Sequence, residues 1–241
     1  MTGSQHPGTG LPGTTLPTRP ANSAPPRTTT LPALVVMDVD STLIENEVIE
    51  LVADYAGVTA EVARVTEQAM RGELDFEGSL RARVALLEGV TLEQVGEVRR
   101  RITVSHGARE LIDGVQAAGG RVCAVSGGFH EVLDPLAADL GLDNWRANRF
   151  EAVDGVLTGR VSGPIVGREA KRDTLLQWAR EYGIDPRATV AIGDGANDLG
   201  MMEVAGLSVA FCAKPIVRER ASVSITERDL SRVLPLLGLR G

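Results

Sequence analysis

Leu34-Val35-Val36-Met37-Asp38-Val39-Asp40-Ser41-Thr42 is a short apolar run that ends in two carboxylates. Leu34 to Met37 is continuously apolar, as a buried parallel strand must be. In open α/β sheets ligands bind beyond the carboxyl ends of the strands, which puts Asp38 and Asp40 where chemistry is expected. Residues i and i+2 of a strand share a side, so the strand reading brings both carboxylates to one place. Two like charges that close repel unless a cation or a proton relieves them. A single aspartate would read as a helix N-cap. Asp-x-Asp-Ser-Thr straight after an apolar strand reads as a functional site.

Outward from this stretch, the chain divides by composition. Residues 1–33 hold seven of the twelve prolines, much Thr and Ser, and no Asp or Glu. Such a segment buries too little apolar surface to offset its ordering entropy and is expected to be a disordered tail. From about Leu43 to Thr103 the period is helical: Val48, Leu51, Val52 and Tyr55 recur at i, i+3, i+4 and i+7, with Gly57 as a stop. Further helices are expected over Val58–Met70, Phe76–Leu87 and Leu92–Ile102. These residues are too many for a plain strand-to-helix link and form an inserted helical cap, 43–103. Residues 34–42 and 104–241 make the core. There, helices expected at 108–118, 129–140, 169–182, 196–205 and 230–237 alternate with strands at 121–125, 189–192, 207–211 and 223–225. A hairpin over 149–160 turns at Asp154-Gly155. The fold class is α/β: a Rossmann-like, doubly wound, mostly parallel sheet with a helical cap inserted after the first strand.

Composition excludes some functions. Aromatics are 3% of residues and the formal charge is −7, which argues against stacking on nucleic acid or gripping a polyanion. No apolar stretch approaches the ~20 residues that span a membrane, and no signal-like leader is apparent. Cys123 and Cys212 lie in apolar runs where a reduced thiol is the default, and a cytoplasmic location is expected.

Three expected strands end in polar, glycine-rich turns: Asp38–Thr42, Val125-Ser126-Gly127-Gly128 and Gly193-Asp194-Gly195-Ala196-Asn197-Asp198. A parallel sheet puts all three on one edge. Ser126-Gly127-Gly128 lets backbone N–H groups approach an anion, although alone it is an everyday turn. The third turn adds oxygen ligands of the kind a hard cation such as Mg²⁺ takes, while Asp194 or Asp198 could equally cap the helix that follows. In isolation Lys171 reads as a solvated lysine; beside a phosphate and a metal it would balance the carboxylates.

In order and separation, Asp-x-Asp-x-Thr, Ser126, Lys171 and Gly-Asp-Gly-x-Asn-Asp resemble the haloacid dehalogenase superfamily from about Leu34 to Leu236. Val125–Phe129, Ala147-Asn148-Arg149 and Ala210–Pro215 resemble its phosphoserine phosphatase family more closely. The resemblance implies Asp38 as the nucleophile, forming an aspartyl-phosphate, and Asp40 as the general acid and base. It implies Ser126, Gly127, Lys171 and Asn197 as phosphoryl ligands and Gly128 as a substrate-binding residue. Mg²⁺ would be held by Asp38, Asp194 and the Asp40 carbonyl, with Asn197 and Asp198 steadying the phosphate and the metal's water shell. In the cap it implies Glu47 for a substrate ammonium, Arg83 for a carboxylate, and Met70 and Phe76 as apolar lining. The substrate implied is O-phospho-L-serine.

The residues add their own arguments. Phe76, Leu80, Val84 and Leu87 form one stripe at ~100° per residue, and Arg83 borders it more closely than Arg81. Glu47 taken alone would be a solvated helix face. Cys212 and Arg218 have the spacing of a cysteine phosphatase loop, but Pro215 lacks an N–H and Ile216-Val217 are stiff. Ser105 stands where a histidine phosphatase would need arginine before His106, and His130 reads as a polar helix residue. Two activities stay open beside hydrolysis of phosphoserine: phosphoryl transfer to an alcohol such as homoserine, and hydrolysis of another small phosphomonoester.

Overall fold

The computed structural model describes Met1, residues 33–71 (Met70 by its backbone alone) and residues 73–240. The tail reading therefore falls on residues that, apart from Met1 and Ala33, lie outside those described.

The opening run forms β1 (Leu34–Met37), and every one of its side chains is buried. It lies at the centre of a sheet with β2 (Arg121–Phe129), β3 (Asn144–Val153), β4 (Val156–Ser162), β5 (Thr189–Gly193), β6 (Leu207–Phe211) and β7 (Val223–Ile225). The order is β4-β3-β2-β1-β5-β6-β7. All neighbours are parallel except β3 and β4. Val36 sits level with Cys123 of β2 and Ala191 of β5. Strand alternation sends Val35 and Met37 to one face and Leu34 and Val36 to the other, so β1 feeds two separate cores. Each fully buried side chain of this kind contributes about 1.5–3 kcal/mol.

Helices cover both faces: α5 (Ala108–Ala117) and α6 (His130–Leu140) pack into the first core, α7 (Arg168–Glu181) and α8 (Leu199–Val204) into the second. From β1 the sheet grows toward β2 on one side and from β5 toward β6 on the other. This is the switch point at which such sheets open a crevice.

Between β1 and α5 stand four helices, α1 (Val48–Ala56), α2 (Thr59–Met70), α3 (Phe76–Ala85) and α4 (Leu92–Val98). Local chemistry sets their ends. Gly57 closes α1 in the left-handed region, Asp75 accepts the Gly78 N–H to start α3, and Thr91 with Gln94 forms a capping box on α4. The chain crosses to and from this bundle side by side, with Glu45 donating to the Thr103 carbonyl and Ser105 to that of Leu43.

The structure departs from the sequence reading in several places. β2 runs on through Ser126-Gly127-Gly128 to Phe129, with a break in register against β3, so the glycine segment is an irregular strand end rather than a turn. β3 begins at Asn144, pairs first with β2 and only then with β4, a double role the mixed Asn-Trp-Arg pattern concealed. The hairpin also grips the cap: Gly89 donates to the Leu157 carbonyl, Leu157 to that of Val90, and Leu92 to that of Gly155. The helix expected at 196–205 is a 3₁₀ turn, Ala196–Asp198, followed by the shorter α8, because the Asp198 side chain bonds back into the turn. Leu230–Leu237 is 3₁₀ rather than α, with Pro235 inside it.

Candidate active site

The three expected turns meet at the carboxyl edge of β1, β2 and β5, where a cavity of 810 Å³ lies between sheet and cap. The aspartates are not on the strand. β1 stops at Met37, and Leu43 and Ile44 donate five residues back to the carbonyls of Asp38 and Val39, which closes a wide turn. The i, i+2 argument thus brought both residues to the cavity on the wrong geometry. Both line the cavity, but their carboxylates have different neighbours.

Asp38 is buried, and its Oδ1 accepts from the Val39 N–H at 2.7 Å and faces Lys171 Nζ at 2.6 Å. Lys171 is fully buried and also bonds Asp198 Oδ1 at 2.7 Å, so its solvated reading is wrong. Burial opposes its charge, but Asp198 and Asp38 outweigh that and hold its pKa above the ordinary range. Asp198 uses its other oxygen to accept the Asp194 and Gly195 N–H groups at 3.1 and 2.9 Å. It is therefore the residue of that turn that caps it. A side chain at Gly193 would collide with this carboxylate, so glycine is required there. Burial, then Asp198, raises Asp38 well above the usual carboxylate range against the pull of Lys171. Burial and Asp198 likewise push Asp194 up to about 6, while Lys214 acts the other way.

Asp38, Asp194 and Asp198 can each bring one oxygen within 4.8 Å of the others. One buried lysine leaves these carboxylates with surplus negative charge, and the oxygen-only donor set suits a hard divalent cation. With both Asp198 oxygens already bonded, Asp38 and Asp194 are the freer donors.

Asp40 faces elsewhere. Its Oδ1 accepts from the Val48 N–H at 3.4 Å, and its Oδ2 lies where a Cβ at Gly128 would come within 3.0 Å. A side chain there would crowd this carboxylate and the Ser126 hydroxyl, so glycine suits the position. Burial, and next the charge of Glu47, pushes Asp40 up to about 8. Of two carboxyls two residues apart, both raised by burial, one is paired with a lysine and the other is not. This division suits a nucleophile and an acid.

Ser126 is buried, with its Oγ accepting the Gly128 N–H at 2.8 Å, and the Gly127 carbonyl accepts from Asn148 at 2.8 Å. Asn197 lines the cavity near Gly127. From the cap, Glu47, Arg83 and Phe76 reach the same cavity, and Phe76 covers Gly127 and Gly167. Arg83 Nε is tied to the Ser79 carbonyl at 3.3 Å, whereas Arg81 is exposed and paired with Glu77. The Met70 side chain lies outside the described residues.

Several residues went unassigned in the sequence. Thr42 stands 3.5 Å from Asp194 Oδ1, and buried Asn148 braces the glycine segment through Gly127 and the Val166 N–H. Glu50, in the first turn of α1, and Lys214, inside the Ala210–Pro215 motif, both line the cavity. Of the decoys, Cys212 donates to the Thr226 carbonyl and His106 is exposed beside Asp229. His130 does more than sit on a helix: its Nε2 accepts the Ala147 N–H and its Nδ1 faces Asp134, which ties α6 to β3.

Residues 35–203 match the family model of haloacid dehalogenase-like hydrolases. A phosphoserine phosphatase of Streptococcus thermophilus is 51% identical over 204 residues, covering 85% of this chain and 95% of the relative. One of Streptomyces coelicolor is 55% identical over 206 residues, but the chain spans only 50% of that longer protein. A solved structure described as a phospho-aspartyl intermediate analogue of phosphoserine phosphatase superposes with a TM-score of 0.79 at 46% identity, covering 84% of this chain and 97% of that one. With the parallel sheet, the buried Asp38–Lys171–Asp198 chain and the cap-enclosed cavity, these matches establish that the chain belongs to the haloacid dehalogenase-like hydrolases and, among them, to the phosphoserine phosphatase family.

Proposed function

We propose that the cavity binds O-phospho-L-serine and hydrolyses it through a covalent intermediate on Asp38. The observation that carries this is the contrast in partners: Asp38 Oδ1 is held by Lys171 at 2.6 Å, while Asp40, two residues on, pairs with no lysine among the described residues and faces the Gly128 backbone and Glu47. The free oxygen of Asp38 attacks phosphorus, the P–O bond to the serine oxygen breaks, and Asp40 gives that oxygen its proton. Asp40 then takes a proton from the water that attacks the aspartyl-phosphate, which releases phosphate and restores Asp38. Ser126, the Gly127 backbone, Lys171 and Asn197 bind phosphoryl oxygens. Asp38, Asp194 and the Asp40 carbonyl would hold Mg²⁺, with Asp198 in support; bound there, it would supply positive charge against the negative charge on the phosphoryl oxygens.

Helices α1 to α4 act as the specificity cap, residues 43–103. Glu47 takes the ammonium and Arg83 the carboxylate, across an apolar wall at Phe76 that Met70 would extend. Among the described residues no helix is long and apolar enough to cross a membrane. Free Cys123 and Cys212 suit a reducing cytoplasm.

The test is phosphate release from L-phosphoserine with Mg²⁺ or chelator, beside phosphothreonine and sugar phosphates. Metal-dependent turnover that favours L-phosphoserine is expected and should vanish in Asp38→Asn. Turnover confined to other esters would overturn the cap assignment. Phosphohomoserine appearing when homoserine is added, in place of free phosphate, would identify a transferase.

A further inference from the structure

Ser41 has φ 58° and ψ 3°, a left-handed conformation that serine disfavours. Asp154, which shares the sign, sits in a hairpin turn where that is ordinary. Ser41 lies instead in the wide turn next to Asp40, and strain of this kind persists only where the surroundings impose it. Three bonds do so. The Ser41 N–H donates to the Asn46 carbonyl at 3.2 Å, its carbonyl accepts from Arg228 at 3.1 Å, and its hydroxyl donates to Glu47 Oε1 at 2.7 Å.

The other ends of these bonds are informative. Glu47 precedes α1 but makes no side-chain cap bond, so nothing in its own helix restrains the carboxylate. Arg228 comes from beyond β7, lies over the Phe211 ring at 5.9 Å and, among the described residues, pairs with no carboxylate within 4 Å. Its polar contact is the strained carbonyl.

We propose that Ser41 is a positioning residue: its hydroxyl orients Glu47 toward the ammonium of the substrate, and Arg228 holds Ser41 in the conformation that aims it. This rests on the reading that the substrate carries an ammonium. A hydroxyl donating to an ionised carboxylate is a strong, directional bond. It occupies Oε1 and leaves Oε2 free of it on a side chain that lines the cavity, so the carboxylate loses little rotamer freedom when substrate arrives.

The test compares O-phospho-L-serine with 3-phosphooxypropionate, the same ester without its ammonium. Ser41→Ala should raise KM for phosphoserine about tenfold, the loss of one charge-assisted bond, with kcat nearly unchanged. KM for the ammonium-free ester should not move. Ser41→Gly, which accepts the left-handed conformation without strain, should lose the same discrimination while melting no lower than the parent. Arg228→Gln should act in the same direction, about threefold, since it removes a support rather than the bond to Glu47.

An equal fall on both esters in Ser41→Ala, or discrimination kept in Ser41→Gly, would overturn the proposal. Glu47→Gln separates the two levels. If it leaves the preference for phosphoserine intact, the ammonium reading itself fails; if it abolishes the preference and Ser41→Ala does not, only the role of Ser41 fails.

Discussion

The sheet edge and the cap solve different problems in one cavity. At the edge, Asp38, Lys171 and Asp198 are buried and joined by short bonds, and their positions are dictated by backbone after β1, in the first turn of α7 and after β5. In the cap, Glu47 and Arg83 are long side chains, partly buried, each with few bonds to the protein. Buried charge tolerates no loose ends, because an unpaired ion in low dielectric is costly. A partly hydrated side chain can be exchanged at modest cost. Side-chain positions are therefore fixed at the edge and adjustable in the cap, as the proposed division between chemistry and substrate choice requires.

The largest effect that could break this contrast is catalytic. Asp40→Asn should lower kcat by about 10²–10⁴ with little change in substrate affinity, since it removes the proton donor and leaves the phosphate ligands. Steady-state kinetics on L-phosphoserine reads this directly, and a change confined to KM would place Asp40 with the cap residues.

Lys171→Met should cost about 3–5 kcal/mol of stability by leaving two buried carboxylates unpaired, and activity should be lost. Denaturant unfolding measures it. A drop under about 1 kcal/mol would mean that the triad is as dispensable as a surface pair.

Arg83→Lys keeps the charge but not the planar fork. It should raise KM roughly 10- to 100-fold with kcat within a few-fold, the signature of a binding contact. Equal losses in kcat and kcat/KM would move Arg83 into the chemistry.

The smallest effect is on pH and stability with metal removed. Asp40 and Asp194 have pKa values raised to about 8 and about 6 in the folded chain, above about 4 when unfolded. The folded state then binds more protons, so stability should fall as pH rises from about 4 to about 8. Melting temperature in chelator should follow that slope, and Mg²⁺ should flatten it. A slope in chelator no steeper than with Mg²⁺ would show that the edge carboxylates are not the metal's ligands.

Much of the fold was legible because its signals are local. Leu34–Met37 is apolar without interruption because both faces of β1 are covered, and Gly57 ends α1 where the periodicity does. The hairpin half of β3 was legible, but residues 144–148 escaped, because half of the strand pairs parallel and half antiparallel and no single pattern runs through it. In the site, Asp38, Asp40 and the Gly193–Asp198 turn announced themselves by carboxylates crowded at strand ends. Thr42 and Asn148 did not, since their partners are distant in the chain.

By itself the sequence determined which residues could do chemistry and on which edge they would gather: apolar runs choose the strands, and a parallel sheet sends their ends one way. Tertiary structure decided what each residue became. Burial turned Lys171 from a surface cation into the counter-charge of Asp38 and Asp198. The wide turn after β1 gave Asp38 and Asp40 different neighbours, Lys171 for the first and the Val48 N–H and Gly128 backbone for the second. Ser41 met Arg228 across 187 residues. Periodicity reports which side of an element is apolar, but desolvation and pairing depend on what packs against it, and that exists only once the chain has closed on itself.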